Sequence, residues 1–359
     1  MDTSGALDEP QDPVESMLGA LTLTTSRART KEDIFTAPSQ WQPHGRVFGG
    51  QVMAQAARAA MHTIDDDRAI HSLHGYFLRP GDITEDITFA VDRIHDGRSF
   101  STRRAQAYQK GQPIFSMIAS FQDEDPGVDH QTLMPTGIPD PDSLPSAQEV
   151  LRSIGHPIAD VWAKTRAFDL RHVPSSLYIT SEGEPSPTQA VWMKCLGPIP
   201  DEPNLHRAAF AYASDFSILE PVMRAHGMNW STPGLKIASL DHAMWWHREA
   251  RADEWFLYAQ ESPSAIGGRG LSLGRIFSQD GTLVASVAQE GMVRVPNLSW
   301  ACDRSTDVAQ PHPLLTVRSY FPHRTQSFPQ TSTSSRGVLR FPHRPGCVWR
   351  YGPGTTGRG

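Results

Sequence analysis

Two long segments of this chain resemble each other, and an internal repeat constrains the fold more than any single motif does. The first segment contains IHSLHGYFLRPGD and then DITFAVDRIHDGRSFSTRRAQAYQKGQPIFSMIASFQ. The second contains KIASLDHAMWWHREA and then EWFLYAQESPSAIGGRGLSLGRIFSQDGTLVASVAQEGMVRV. The matching stretches are Ser72-Leu73-His74 with Ser239-Leu240-Asp241, Gly97-Arg98 with Gly268-Arg269, and Lys110-Gly111 with Asp280-Gly281. The chain is therefore predicted to fold as two similar units in tandem.

A helical pattern stands ahead of the strands in each unit. It covers Gly49 to Ile64 in the first unit and AAFAYASDFSILEPV, Ala208 to Val222, in the second. Long β-branched and aromatic strands follow, joined by short hairpins that contain glycine. One helix followed by a run of antiparallel strands, twice over, predicts an α+β fold in which each sheet wraps around its own helix. We expect a covalent pseudo-dimer with a site where the two halves meet.

Composition shifts divide the chain into five regions. Residues 1–13 form an acidic leader, which we predict to be disordered, and residues 14–122 form the first unit. Residues 123–146 are a linker rich in Pro, Gly and Asp, with no room for regular structure. Residues 147–297 form the second unit, which carries the candidate catalytic residues. Residues 298–359 are rich in Ser, Thr, Pro, Arg and His without a sustained period, which predicts a mostly disordered tail.

Charge and cysteine usage exclude several classes of protein. The net charge of -6 over 359 residues argues against a nucleic-acid-binding protein, although a local basic groove for a small phosphorylated ligand remains compatible with it. The three cysteines are too few and too scattered for a disulfide framework, which favours a reducing compartment. The N-terminus does not resemble a signal peptide, and no window approaches the roughly 18 apolar residues of a membrane helix. We expect a cytoplasmic protein that does not enter a membrane.

The common catalytic motifs are missing from the sequence. It has no Gly-x-Ser-x-Gly elbow, no Walker A motif, no His-Glu-x-x-His, and no pair of cysteines at zinc spacing. The histidines of HSLHGYF and LDHAMWWH alternate along predicted strands, a pattern typical of a polar rim or a hydrogen-bonded core. We predict neither a metal site nor a cofactor.

One aspartate stands out within the apolar second helix. If the helix runs from Ala208 to Val222, Asp215 shares the face that carries Tyr212 and Ile218, which is the face a helix normally buries. A carboxylate buried there without partners costs several kcal/mol or gives up its charge. Asp215 is therefore either a structural carboxylate with partners or a functional one.

The sequence resembles a known family, the acyl-CoA thioesterase II family of double-hotdog thioesterases. The resemblance runs in the family's order from about Val14 to Pro296 and leaves out the leader and the tail. The stretches that carry it are RVFGGQVMAQA, HSLHGYFLRPGD, DGRSFSTRRAQAYQKGQPIFSMIASFQ, AYASDFSIL, ASLDHAMWWHR and GTLVASVAQEGMVR.

The resemblance implies both an activity and a set of site residues. It implies hydrolysis of medium- or long-chain fatty acyl-CoA to free acid and CoA, without a metal, a cofactor or a covalent intermediate. The catalytic positions would be Asp215, Ser239 and Gln289. A carboxylate held partly out of water suits a general base, and a hydroxyl and an amide can hold the attacking water and the carboxylate in register. The resemblance also implies a homo-oligomer, a dimer or a tetramer.

Further residues are candidates for substrate contacts. The helix start at Gly49, Gly50 and Gln51 is a candidate oxyanion site, since glycine lets backbone N–H groups approach a ligand closely, although close helix–strand packing explains the glycines as well. The basic candidates for CoA phosphates, which a solvated strand face explains equally, are Arg98, Arg103, Arg104 and Arg269. The sequence is also compatible with two other functions, a non-catalytic acyl-CoA-binding module and a hotdog enoyl-CoA hydratase or dehydratase.

Overall fold

The computed structural model describes residues 12–25, 32–64 and 68–295. The first element is helix α1, Pro13–Ala20, which Asp12 caps by accepting hydrogen bonds from the backbone N–H groups of Val14 and Glu15. Residue 13 therefore belongs to a helix, whereas we predicted it to end a disordered leader. The rest of that leader, residues 1–11, and the whole predicted tail lie outside the described residues.

The first half consists of one long helix and a set of antiparallel strands. Its elements are β1 Thr24–Thr25, β2 Asp33–Ala37, α2 Gly49–Met61, β3 Arg68–Phe77, β4 Ile87–Asp96, β5 Phe100–Gln109 and β6 Gln112–Asp123. Small side chains cover most of α2, so the sheet approaches it closely and buries nearly all of it. The predicted hairpin at Lys110-Gly111 is confirmed: both residues have positive φ, 50° and 72°, which matches the twist of the flanking strands.

The second half repeats this plan after two short helices. Its elements are α3 Ala147–Ser153, α4 Pro157–Thr165, β7 Phe168–Val173, β8 Thr188–Cys195, α5 Pro203–Ser214, α6 Glu220–Ala225, β9 Lys236–Ser239, β10 Asp241–Trp246, β11 Phe256–Ile266, β12 Arg269–Ser278 and β13 Leu283–Arg294. Helix α5 occupies the place of α2 and is buried in the same way.

The strands of the described residues belong to one antiparallel sheet. Its order is β1-β2-β4-β5-β6-β3-β10-β13-β12-β11-β8-β7, and β9 pairs with β13. The halves join where β3 runs beside β10, with Leu73 opposite Met244. Outward from this seam, β3, β6, β5, β4 and β2 correspond to β10, β13, β12, β11 and β8, so the predicted repeat and the double-hotdog fold are confirmed.

The two central helices lie side by side inside this sheet. The hydroxyl of Tyr212 on α5 donates to Oε1 of Gln40, just before α2, across 2.9 Å. A Cβ added to Gly50 of α2 would lie 2.3 Å from the carbonyl oxygen of Tyr212. Only glycine at position 50 allows the two helices to lie this close together. The beginning of α2 therefore lies against the end of α5.

The segment between the halves is anchored to the second half. The side chain of Gln131 donates to the carbonyl of Gly281 and accepts from the N–H of Leu283, and Trp192 Nε1 donates to the carbonyl of Pro139. Most of residues 123–146 has neither helix nor strand, but the prediction was wrong at two places. Asp123 ends β6, and Pro141–Ser143 form a single 3-10 turn whose N-cap is Asp140.

None of the helices within the described part of the chain is long and apolar enough to cross a bilayer.

Candidate active site

Asp215 lies at the end of helix α5, not in the middle of a longer helix. The predicted helix through Val222 was wrong: α5 ends at Ser214, Asp215 is its C-cap, and α6 begins only at Glu220. Pro221 explains the break, because its ring has no N–H for the carbonyl of Ser217 and would clash with it in a continuous helix. The carboxylate of Asp215 is therefore carried by a helix terminus and remains partly exposed.

The side chains of Ser239 and Gln289 converge on this carboxylate. Ser239 Oγ donates to Asp215 Oδ1 across 3.1 Å, and Gln289 Nε2 lies 3.0 Å from the same oxygen. Gln289 Nε2 also donates to Ser239 Oγ across 2.9 Å. The structure thus brings together the three residues predicted from the sequence, which lie at the C-cap of α5, in β9 and in β13.

Burial raises the pKa of Asp215 to about 6. The hydrogen bonds from Gln289, from Ser239 and from the backbone N–H of Gly50 act in the opposite direction, because each stabilises the ionised form. A carboxylate with this pKa is ionised near neutral pH and still basic enough to accept a proton from water.

A β-bulge aims Ser239 at the helix. In the pairing with β13, Ser239 lies opposite Gly291 and Ala243 lies opposite Ala288, so four steps along β9–β10 face three steps along β13. The extra residue breaks the alternation that would place Ser239 and Asp241 on one face, as strict strand geometry predicts. Asp241 Oδ1 instead accepts the N–H of Glu290, and the inward-facing pair is Ser239 and His242.

His242 is the site residue that the sequence did not single out. Its ring is buried, with Nδ1 hydrogen-bonded to Gln289 Oε1 and Nε2 3.0 Å from Ser214 Oγ. Burial lowers the pKa of His242 to about 4, so the ring is neutral at physiological pH. An amide oxygen only accepts, so Nδ1 carries the proton and Nε2 is the unprotonated nitrogen of the ring. Of the two alternatives predicted for these histidines, a polar rim or a hydrogen-bonded core, His242 shows the second. The bulge that turns it to Gln289 has no signature in the sequence.

The start of helix α2 forms the opposite side of the site. The backbone N–H of Gly50 stabilises the ionised form of Asp215, and Gly49 lines the cavity beside it. Gln51 does not reach the site, because its side chain accepts from the N–H of Gln40 and donates to the carbonyl of Pro38. Of the three candidate oxyanion residues, the structure therefore brings two to Asp215.

A cavity of about 740 Å3 opens onto Asp215, Ser239 and Gln289. Both halves contribute to its walls, which are mostly apolar. Its apolar and aromatic lining residues are Val47, Phe48, Val52, Phe77, Leu78, Pro80, Ile114, Phe216, Leu219, Trp230, Ile237, Ala238 and Leu240. This volume falls within the roughly 300–1,000 Å3 of typical small-molecule sites.

The arginines proposed from the sequence as phosphate ligands do not line this cavity. Arg103 pairs with Asp96, Arg104 with Asp92, and Arg269 with Glu290. Arg98 is likewise absent from the cavity wall, whose basic residues are His44, Arg46 and Arg79.

No group of three or more metal-binding side chains comes together within residues 12–25, 32–64 and 68–295. The carboxylate of Asp215, with the hydroxyl of Ser239 and the amide of Gln289 beside it, can activate a water molecule. That water can then attack an electrophile that is bound in the apolar part of the cavity.

Comparison with known proteins identifies two matching family models. The model described as acyl-CoA thioesterase matches residues 163–292, and the acyl-CoA thioesterase N-terminal domain matches residues 37–122. The two matches coincide with the two structural repeats.

Curated relatives match over most of their length. Acyl-CoA thioesterase 2 of Haemophilus influenzae is 38% identical over 267 residues, covering 73% of this chain and 92% of the relative. Acyl-coenzyme A thioesterase 8 of Homo sapiens is 36% identical over 307 residues, covering 82% and 95%.

Solved structures share the fold. Acyl-CoA thioesterase II TesB2 from Mycobacterium marinum superimposes with a TM-score of 0.63 at 41% identity, covering 79% of this chain and 98% of that one. A hot dog fold protein of unknown function from Alicyclobacillus acidocaldarius gives a TM-score of 0.63 at 17% identity, covering 78% and 98%, a likeness of fold alone.

Proposed function

The chain belongs to the acyl-CoA thioesterase family and is a thioester hydrolase, and on this premise we propose that it hydrolyses medium- and long-chain fatty acyl-CoA through water activated by Asp215. The observation that carries this proposal is the convergence of Ser239 and Gln289 on one oxygen of a carboxylate whose pKa is raised to about 6.

The proposed reaction forms no covalent bond between the substrate and the protein. Asp215 takes a proton from water, and the resulting hydroxide attacks the thioester carbon. The tetrahedral intermediate expels the CoA thiolate, which is a good leaving group, and the protonated Asp215 supplies the proton that makes the free thiol. The products are a carboxylic acid and CoA, and Asp215 returns to its ionised form.

Ser239 and Gln289 act by orientation in this scheme. Because both donate to Oδ1, they fix the carboxylate and leave Oδ2 to face the start of helix α2. Ser239 Oγ keeps one lone pair, which can accept a hydrogen bond from the water. Holding reactants in register in this way contributes to the rate without any further proton transfer.

His242 is a positioning residue that acts through Gln289. An amide side chain has nearly the same shape in its two flipped orientations, and only one of them points its NH2 group at Asp215. The Nδ1–H group of His242 bonds to the oxygen end of Gln289, which selects that orientation. The low pKa of His242 keeps this pattern unchanged over the physiological pH range.

The oxyanion of the intermediate is assigned to the N-terminus of helix α2. The N–H of Gly50 acts on the carboxylate of Asp215, and that of Gln51 bonds to the carbonyl of Phe48. Gly49 lines the cavity at the same helix end, so its N–H is the proposed donor. The preference for medium or long acyl chains is proposed from the predominantly aromatic and aliphatic lining of the cavity.

The test is a thiol-release assay on the purified full chain with saturated acyl-CoA substrates of increasing length. We expect release of free CoA, with faster turnover of medium and long chains than of acetyl-CoA. Tight binding without CoA release would instead indicate a binding module. Loss of the ultraviolet absorbance of an enoyl-CoA without thiol release would indicate a hydratase. Assembly as a dimer or tetramer and a cytoplasmic location stay predictions.

A further inference from the structure

The cavity around Asp215 has an uneven distribution of charge. Among the described residues that line it, Asp215 is the only acidic one, and the basic ones are His44, Arg46 and Arg79. Burial and the neighbouring Arg46 lower the pKa of His44, so at neutral pH its ring contributes a hydrogen-bonding group without charge. Two guanidinium groups therefore carry the positive charge of this cavity.

Arg46 and Arg79 come from two segments that are bonded to each other. Val47 donates its N–H to the carbonyl of Gly81 across 3.0 Å, and Arg46 forms an isolated bridge with Asp82. A Cβ added to Gly81 would lie 2.7 Å from the side chain of Val47, so these segments are closely packed. The two arginines are thus held on a common edge of the cavity, although 33 positions separate them in sequence.

The charges of these two arginines are not neutralised within the protein. Across residues 12–25, 32–64 and 68–295, neither guanidinium lies within ion-pair distance of a carboxylate, in contrast to Arg103, Arg104 and Arg269. Arg79 Nη1 donates to the carbonyl of Pro113 across 2.8 Å, which orients the group without cancelling its charge. Both side chains are exposed at the cavity.

A pair of unneutralised guanidinium groups matches the geometry of phosphate oxygens, which they bind through two parallel N–H···O bonds. We propose that Arg46 and Arg79 form the subsite that binds the phosphate groups of CoA, while the thioester reaches Asp215 from the same opening. This assignment rests on the proposed function. The four arginines predicted from the sequence as phosphate ligands are thereby replaced by two that line the cavity.

Calorimetric titration tests the subsite independently of catalysis. The ligands are CoA, dephospho-CoA and pantetheine, and the proteins are the full chain and its Arg46→Gln, Arg79→Gln and double variants. Arg152→Gln is the matched control, since Arg152 is an exposed arginine of α3 that does not line the cavity. We expect each cavity substitution to weaken CoA binding about tenfold, as for a lost charge-assisted hydrogen bond, and to leave pantetheine binding unchanged.

The three ligands separate the possible outcomes. Variants that weaken both CoA and dephospho-CoA assign the arginines to the diphosphate, and variants that weaken CoA alone assign them to the 3′-phosphate. Equal weakening of CoA and pantetheine, or no weakening of either, would overturn the subsite.

A kinetic measurement keeps this proposal distinct from the catalytic one. With octanoyl-CoA, the arginine variants should raise KM about tenfold per residue and leave kcat within about twofold. With octanoyl-N-acetylcysteamine, which has no phosphate, KM should not change. If no substrate releases thiol but the variants weaken CoA binding, the hydrolytic function fails and the phosphate subsite stands.

Discussion

Gly49 and Asp215, one from each half of the molecule, are in such close contact that a Cβ added to Gly49 would lie 2.6 Å from Oδ2 of Asp215. The same atom would lie 3.1 Å from the ring of Phe77, so the added methyl group cannot be accommodated without moving a neighbour. The site therefore depends on the absence of a side chain at the start of α2.

Gly49→Ala should consequently reduce activity more than stability. A displaced carboxylate no longer meets the water and thioester in register, and shifts of this kind cost about 10²-fold in rate. We expect kcat to fall by about that factor, measured by thiol release. Gly19→Ala is the matched control, because Gly19 lies in helix α1 with nothing within 4 Å of an added Cβ. Comparable loss of activity in both variants would contradict the account.

The pH dependence reports on Asp215. Its pKa is raised to about 6, and a general base must be ionised, so kcat/KM should rise with pH and level off above about 7. Ser239→Ala removes a hydrogen bond to the ionised form, so the pKa should move up and the profile should shift to higher pH. A shift to lower pH, or none, would show that Ser239 does not act on this carboxylate.

The role of His242 is tested by a double-mutant cycle with Gln289. His242→Leu removes the donor that orients the amide, so kcat should fall substantially with little change in KM. In a Gln289→Ala background, the same substitution should cost less than about threefold, because there is no amide left to orient. His242→Asn offers an amide N–H and should recover part of the lost kcat. Fully multiplicative losses would mean that His242 supports the fold alone.

Stability should change in the opposite direction to activity when Asp215 is replaced. The pKa of Asp215 in the folded state lies above its ordinary value of 3.8. Its contribution to the free energy of unfolding is therefore fully present below about pH 3.8 and is lost as pH rises through about 6. Asp215→Asn removes the buried charge that opposes folding at higher pH. Thermal unfolding should therefore give a higher Tm for Asp215→Asn than for the parent at pH 8, and a difference that shrinks by pH 4. A lower Tm at pH 8 would contradict the sign.

The sequence predicted the parts of the structure that depend on periodicity and repetition. The two units, the hairpin at Lys110-Gly111 and the helix beginning at Gly49 are where the pattern places them. Pro221 could have predicted the break after Asp215, because a proline interrupts a helix about one turn before itself.

Other features depend on pairings that no local pattern encodes. The bulge between β9 and β10 follows from the register against β13, and it alone turns His242 towards Gln289. The position of Arg46 beside Arg79 follows from the pairing of two loops. Three of the four arginines proposed from the sequence are paired with carboxylates on neighbouring strands, as Arg104 is with Asp92.

The central claim, that Asp215 is the general base, is tested most directly by the turnover of Asp215→Asn with a medium-chain acyl-CoA. The asparagine keeps the size of the side chain and an oxygen for Ser239 and Gln289, but it cannot accept a proton from water. We expect kcat to fall on the order of 10³-fold while calorimetry still detects CoA binding. A variant that folds, binds CoA and retains turnover within about tenfold of the parent would contradict the mechanism.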